Sequence, residues 1–331
     1  MDSTASPQDC RILSPSHPCR SQTPVVRIAV VFNPISGRGR SAAAAAEIAN
    51  ALQGASHEVT LIRSEPTGVE SWLEPALRPS PRSAGLLVIV GGDGAVRLAS
   101  HAASRWGVPI YQVPMGTENL FAREWGMSRR PSALLQAIAR GRIATVDSAR
   151  ANGEHFLLMV SVGYDADVVH DLAAHRAGGI SHLSYLGPML RQMRSHQPSR
   201  LTIHVDGVRI DDGTPGFAVV ANSRQYAVRL NPACRARMDS GHLDIVWFPC
   251  TGILDLVGWM MRCQLGLHVD DPRLVYSIGR TVTIESTVPF RHQLDGDAAG
   301  AARATRLEIA IRPRSLRVLT ARDRAERPER M

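Results

Sequence analysis

Hydrophobic positions follow two different rhythms along the chain. Between residues 25 and 143, short unbroken apolar runs alternate with segments of helical period. The runs are Val25 to Asn33 (VVRIAVVFN), His57 to Arg63, Leu86 to Val90 (LLVIV) and Pro109 to Val113. Between and after them lie Ser41 to Leu52, Gly68 to Leu77, Ala95 to Trp106, Glu118 to Trp125 and Ser132 to Arg140, the last opened by Pro131. Runs this short and this apolar predict strands covered on both faces. Their alternation with helices predicts an α/β domain with a parallel sheet.

Past Ile143 the alternation stops. Val146 to Ser148, Phe156 to Val162, Leu201 to Val205, Gly216 to Ala221, Leu243 to Phe248, Val282 to Glu285, Leu307 to Ile311 and Leu316 to Leu319 read as strands. Turn signals such as Val205-Asp206-Gly207 and Asp211-Asp212-Gly213 separate them, as in hairpins. Two helical stretches interrupt, Ala166 to Ala174 and Leu183 to Arg194. The expectation is a mostly antiparallel second domain, a β-sandwich or distorted barrel.

Composition narrows the chemistry. All 38 basic residues are Arg, for the chain has no Lys. That removes a P-loop lysine, a protein-kinase strand lysine and a Schiff base. A phosphate must be held by backbone N–H groups, Arg, hydroxyls or a metal. The net charge of +8 is scattered, with one dense cluster between Arg312 and Arg330. Aromatics are only 5%, which supplies stacking for nucleic acid poorly, so no nucleic-acid partner is expected; attraction to an anionic lipid surface is the better use of the charge. Five Cys without paired spacing argue against a disulfide framework or a zinc site. No secretory signal stands out in residues 1–24, and Ile253 to Leu267, the most apolar helical stretch, is interrupted by Asp255 and Arg262. A cytoplasmic protein, peripheral on the inner face of a membrane, is the expectation.

Candidate chemistry gathers in three loops that follow strand ends, where open α/β sheets bind ligands. They are Asn33-Pro34-Ile35-Ser36-Gly37-Arg38-Gly39, then Gly91-Gly92-Asp93-Gly94-Ala95, then Pro114-Met115-Gly116-Thr117-Glu118-Asn119. Their glycines let a backbone approach phosphates at helix N-termini. Gly37 to Ala42 also fits the G-x-G-x-x-A dinucleotide fingerprint, with Glu65 after the second strand. That reading, an NAD(P) oxidoreductase, leaves Asp93 unexplained. A carboxylate between glycines suits a Mg²⁺ bridge to a nucleotide, or a place near a reacting hydroxyl.

These runs resemble the diacylglycerol kinase catalytic domain family, which includes bacterial lipid kinases and sphingosine kinases. FNPISG is similar to its N-P-x-S-G loop, GGDGA to G-G-D-G-T, and PMGTENLFARE to P-x-G-T-x-N-D-F-A-R. SVGYDADVV, MDSGHLDIVWF and HQLDGD resemble its G-x-G-x-D-A, D-D-G-x-L-D-V and D-G-E segments, in order, from about Val25 to Leu319. The resemblance implies ATP in an interdomain cleft, γ-phosphoryl transfer to a lipid hydroxyl, and a last strand returning to the first domain. With the change of rhythm, the expected organisation is a disordered head (1–24), a nucleotide-binding α/β domain (25–145), a β-rich lipid domain (146–311), and a returning strand with an Arg-rich tail (312–331). The resemblance implies nucleotide contacts from Asn33, Pro34, Ser36, Gly37, Ser64, Gly91, Gly92, Gly94, Ala95 and Thr117. It gives Asp93 to Mg²⁺ and the phosphates. Asp297 falls where the family has its proton-accepting Glu, with Asp295 as a second carboxylate of the pair.

The departures matter. The family's T-x-N-E after GGDG is Ala95-Val96-Arg97-Leu98 here, which loses a hydroxyl, an amide and a carboxylate and gains a cation. Asp297 reaches about 1.5 Å less far than Glu, and positioning matters on that scale. Ser240 replaces an Asp of the family's accessory Mg²⁺ site, so that metal is not expected. Two alternatives remain open: a weakened or silent nucleotide- and lipid-binding relative, and a small-molecule kinase of the NAD kinase type. Trp259, Met260 and Met261 are read as core or as the lining for an acyl chain.

Overall fold

The computed structural model describes residues 25–34, 39–65, 68–174 and 199–320. The expected head (1–24), the Leu183 to Arg194 helix, Ser36, Gly37 and the tail after residue 320 lie outside the described residues.

The first half runs β1 (Arg27–Phe32), α1 (Ser41–Gly54), β2 (Glu58–Arg63), α2 (Val69–Trp72), α3 (Glu74–Leu77), β3 (Leu86–Gly91), α4 (Asp93–Trp106), β4 (Ile110–Pro114), α5 (Leu120–Trp125) and α6 (Pro131–Arg140). The four strands are parallel in the order β2-β1-β3-β4, with Val31 opposite Ile62 and Ile89, and Ile89 opposite Gln112. Every residue of β3 is buried, which is why its sequence lacks alternation. Val88 and Ile89 are fully buried, each contributing on the order of 1.5–3 kcal/mol. The helix expected over Gly68 to Leu77 is two short ones, because Pro75 lies in the first turn of α3 and breaks the continuity.

The second half runs β5 (Ile143–Ala151), β6 (Glu154–Phe156), β7 (Met159–Val162), α7 (Tyr164–Ala174), β8 (Ser199–Arg200), β9 (Thr202–Val205), β10 (Val208–Arg209), β11 (Pro215–Ala221), β12 (Leu243–Pro249), α8 (Ile253–Leu265), β13 (Val275–Gly279), β14 (Thr281–Leu294) and β15 (Asp297–Leu319). Its strand pairings are antiparallel, and Asp206-Gly207 turns β9 into β10 with both φ positive, as the sequence suggested.

The halves are not separate sheets. Hydrogen bonding runs unbroken from β13 through β12, β11, β7, β14 and β15 to β4, β3, β1 and β2. The join is β15. Its first half, Asp297 to Ala310, pairs with β14, its second, Ile309 to Leu319, with β5, and Val318 near its end lies parallel to Ile110 of β4. Where the sequence suggested three short strands, the structure has one long hairpin. Pro289 and Pro313 and the Ala-rich stretch after Asp297 hide it, since those residues are poor strand formers that long-range pairing overrides. One core packs under the parallel sheet and reaches Phe248 and Trp259 of the second half; another, with Ile245, Trp247, Ile284 and Leu307, lies within the second half.

A candidate active site at three glycine turns and a hairpin

The turns after β3 and β4 lie back to back. A Cβ on Gly116 would stand 2.7 Å from the Cα of Gly92, and one on Gly92 would stand 3.1 Å from the Cα of Gly116. Neither position has room for a side chain. A Cβ on Gly91 would meet that of Ala95 at 2.7 Å. The first loop shares this edge of the sheet: the Ser41 hydroxyl donates to the Asn33 carbonyl, and the Ser64 N–H donates to Phe32 at 2.9 Å, which sets the ends of β1 and β2 side by side. Asn33, Pro34, Ser64, Gly92 and Thr117 therefore lie in the loops at the carboxyl ends of β1 to β4, with Gly91 ending β3 and Gly94 and Ala95 in the first turn of α4.

Asp93 opens α4, but its carboxylate turns toward α5. Oδ2 accepts from the Leu120 N–H and Oδ1 from the Phe121 N–H, each at 3.0 Å. Asn119 closes the same junction, accepting from Gly116 N–H at 2.8 Å and donating back to its carbonyl at 2.7 Å. Burial pushes the Asp93 carboxyl up to about 6, against these two N–H bonds and with added repulsion from Asp295 and Asp297. The residue expected to organise a metal is thus a cap on the neighbouring helix.

The β14–β15 hairpin brings the other two carboxylates. Asp295 and Gly296 form its two-residue turn, with φ of 53° and 87°. Asp295 points inward and accepts three backbone N–H groups, from Leu157 and Leu158 at 2.8 Å and from Leu158's neighbour Met159 at 3.0 Å. Burial nevertheless raises its carboxyl to about 6. Asp295 thus anchors the turn, whereas Asp297 faces outward. The side chain of Asp297 is 49% exposed and lies over Gly94, where a Cβ would meet its Oδ2 at 2.7 Å. Arg97, one turn further along α4, donates to the same oxygen at 3.2 Å.

Ser240 exchanges hydrogen bonds with His242, Asp239 pairs with Arg237 at 3.2 Å, and Asp244 accepts from Tyr276 at 2.8 Å. No group of three His, Cys, Asp or Glu suited to a metal occurs among the described residues. With the Asp93 oxygens facing N–H donors as well, these side chains do not form a Mg²⁺ cage.

Beside Gly296 an apolar cavity of about 160 Å³ opens into the second half. Leu120, Val168, Phe217, Phe248 and Trp259 supply its walls. Phe217 stacks on Phe248 with centroids 4.7 Å apart, Trp259 meets Phe248 edge-on, and the indole N–H donates to Pro249 at 2.7 Å. Trp259 and Met260 thus line the cavity, whereas Met261 turns outward and is 61% exposed. Sequence reasoning missed the Arg97–Asp297 contact, Gln293 and Tyr226; no local pattern marks pairs so far apart in the chain.

Fold and seam define a protein built from a parallel α/β half and an antiparallel β half that meet where glycine turns face a hairpin carboxylate. Comparison with known proteins places that class. Residues 27–151 match the model of the diacylglycerol kinase catalytic domain, and residues 158–320 that of the YegS C-terminal NAD kinase beta sandwich-like domain. Diacylglycerol kinases of Staphylococcus aureus and Bacillus subtilis are each 22% identical, over 286 and 280 residues, covering 86% and 83% of this chain and 90% of each relative. The crystal structure of a diacylglycerol kinase from Bacillus anthracis superposes with a TM-score of 0.67 at 19% identity, covering 90% of this chain and 98% of the other; that likeness speaks for the fold. The chain belongs to the diacylglycerol kinase catalytic domain family, a family of lipid kinases, and carries a YegS-like C-terminal domain.

Proposed function

We propose that this protein is an ATP-dependent kinase that phosphorylates the hydroxyl of diacylglycerol or a related lipid. The observation that carries this reading is the apolar cavity lined by Gly296, next to Asp297, and by Phe217, Phe248 and Trp259. A small polar acceptor, as for a NAD kinase, would have no use for such walls. At about 160 Å³ the cavity is below the 300–1,000 Å³ of a site that encloses a drug-sized ligand, so it takes only part of a lipid.

The nucleotide would supply the phosphoryl group, held over Gly92, Gly94 and Thr117 with the first loop and Ser64 alongside; the α4 N-terminus and the close-packed glycines suit phosphates. Asp297 takes the proton as the lipid oxygen attacks. Arg97 beside it is placed to balance charge that builds on the transferring group. Asp93 and Asp295 act by holding α5 and the hairpin in position.

The lipid partner also suits the outer face of α8. Leu254, Met261 and Leu265 form one stripe and are 86%, 61% and 67% exposed, while the opposite stripe, Leu256, Trp259, Met260 and Cys263, lines the cavity. A helix apolar on both faces, with Arg229 and exposed Val228 nearby on the loop that lines the cavity, fits the surface of an anionic bilayer. No helix among the described residues is long and apolar enough to cross a membrane.

One observation favours a second reading, a weakened relative. Arg97 holds the carboxylate that would act as the base, in a segment where three family residues are changed. A kinase assay with labelled ATP on a total-lipid extract separates the two. A labelled lipid product, reduced about 10²–10⁴-fold by Asp297→Ala, is expected for the kinase; no product from any lipid, with ATP binding retained, is the outcome for the silent relative.

A further inference from the structure

Positive charge gathers on one flank of α4, beyond the residues used above. Arg97, His101 and Arg105 follow one another at intervals of four along one stripe of the helix. The strands beneath carry more. Arg150 of β5 lies opposite His155 of β6 and opposite Ala310 of β15, and Arg312 lies opposite Ser148, two residues before Arg150. Opposite residues, and those two further along a strand, share a face of the sheet. Arg150, His155 and Arg312 therefore share the face that α4 covers, while Ala149, Phe156 and Ile309 point the other way into the core.

Two of these cations have counter-ions: Arg97 bonds Asp297, and Arg105 bonds Glu74 at 2.8 Å. Arg150 and Arg312 have no carboxylate partner among the described residues. Arg150 instead donates to Nε2 of His101 at 3.2 Å. A guanidinium cannot accept, so that nitrogen is bare and Nδ1 carries the proton of a neutral ring. His101 stacks on His155 with centroids 5.3 Å apart. Both rings are held below the ordinary imidazole value, first by burial and then by the charges around them, against an opposite pull on His101 from Glu70. Arg150 is partly buried, and its Nε is sealed from solvent without a hydrogen-bond partner. A charge drawn out of water and left without an opposite charge is costly, and a second arginine diagonally across the strand pair adds repulsion.

We infer that this flank binds a phosphate-type oxyanion, held between the guanidinium groups of Arg150 and Arg312 with the His101 N–H as a third donor. Diagonal cross-strand positions lie about 7–8 Å apart, a span that two long side chains close onto one phosphate. Each guanidinium offers paired donors that match phosphate oxygens, and the bound charge turns the repulsion between the two arginines into attraction. Inorganic phosphate and the phosphomonoester headgroup of a lipid present the same oxygens. The place is distinct from the glycine turns: His101 lies one turn of α4 beyond Arg97, and Arg150 and Arg312 belong to strands outside the loops after β1 to β4. The inference stands whether or not the lipid-kinase reading does.

The test has two arms on the full chain at constant ionic strength: calorimetric titration with inorganic phosphate, and flotation with phosphatidylcholine vesicles with or without phosphatidate. Saturable phosphate binding is expected if the ligand is free, and phosphatidate-dependent flotation if it is a headgroup; either supports the inference. Arg312→Gln, at an exposed position, and Arg150→Gln, which keeps a donor toward His101, should each weaken the responding arm by about 10-fold or more. Arg303→Gln, an exposed arginine earlier in β15, removes the same charge elsewhere and should leave that arm within about 2-fold of wild type. Thermal melts give a readout that a structural role would not. Without phosphate, Arg312→Gln should melt at or above the wild-type temperature, because a repulsion is gone. With the ligand present it should melt below. Response in neither arm overturns the inference, as does a response that survives both substitutions or falls equally in Arg303→Gln. So does displacement of phosphate by a saturating non-hydrolysable ATP analogue, which would return the anion to the nucleotide loops, or an Arg312→Gln melting temperature lowered equally with and without ligand.

Discussion

Gly94→Ala separates the position of the carboxylate proposed as the base, Asp297, from the stability of the fold. The added Cβ would stand 2.7 Å from Asp297 Oδ2 and 3.5 Å from its Cγ. Ordinary contact requires the carboxylate to retreat by roughly 0.5–1 Å, given that non-bonded carbon contacts sit at about 3.5–4 Å. Asp297 is half exposed and can swing, so the neighbour yields and the backbone does not. Gly94 also lies in the first turn of α4 without a positive φ, where Ala is favoured over Gly by about 0.5–1 kcal/mol. A displacement near 1 Å costs on the order of 10² in rate when the displaced group takes part in the reaction. The expected outcome is a kcat lower by about 10- to 10²-fold, with the melting temperature unchanged or raised. Labelled-ATP turnover and calorimetry measure the two. A kcat within about 2-fold of wild type would refute the placement of Asp297 over Gly94 as the reactive geometry, provided Asp297→Ala is itself inactive. Gly116→Ala is the contrast: its Cβ meets the Gly92 backbone at 2.7 Å, so the turns themselves must part, at a cost of about 1–3 kcal/mol in stability.

Asp295→Ala strands three buried N–H donors and is expected to lower stability by about 3 kcal/mol or more in denaturant unfolding, whatever it does to turnover. Replacing Leu254 and Met261 by Asp should cut flotation with anionic vesicles several-fold while turnover on dispersed short-chain lipid stays within about 2-fold. His155, which bonds Ser100 at 3.0 Å and stacks on His101, is pushed down to about 3, first by burial and then by nearby cations. Unfolding frees it to bind a proton, so its contribution is present above about 6.5 and is lost as the pH falls toward 3. Asp93 and Asp295, both raised to about 6, act in the opposite sense and favour the fold as the pH falls from 6 to 4. The His155→Gln variant should therefore show a flatter acid limb than wild type in pH-dependent thermal melts.

How much of this was legible beforehand differs by element. The parallel strands announced themselves because β1 and β3 are buried on both faces, and burial of that kind writes continuous apolar runs. The Asp295-Gly296 turn carries an Asp-Gly pair, a hairpin signal of the same kind as Asp206-Gly207. The division of labour between its carboxylates was not legible, because it depends on N–H groups some 136 to 138 residues away. Likewise the contact of Arg97 with Asp297 was not legible, because it forms only where α4 and the hairpin meet, 200 residues apart in sequence. Gly94 shows the reverse error of emphasis. Its smallness was read as room for a phosphate, and the structure shows a nearer reason, the carboxylate of Asp297 above it.

The hairpin explains how a shortened carboxylate still reaches its place. Three ties converge on two turn residues: backbone donors into Asp295, the Gln293 side chain onto Gly296, and the long strand β15, whose far end is hydrogen-bonded beside β4. The loop after β4 carries Gly116, which packs on Gly92. One continuous strand thus links the turn bearing Asp297 to the sheet that supports the glycine turns. The backbone at residue 297 is held from several directions, while its side chain pairs with Arg97 and has half its surface free. Rigid support beneath a movable carboxylate lets the backbone, and not the length of the side chain, set the approach to Gly94. Replacement of the family's Glu by Asp then costs reach at the last bond only, and the Arg97 contact is what holds the shorter side chain in place over Gly94.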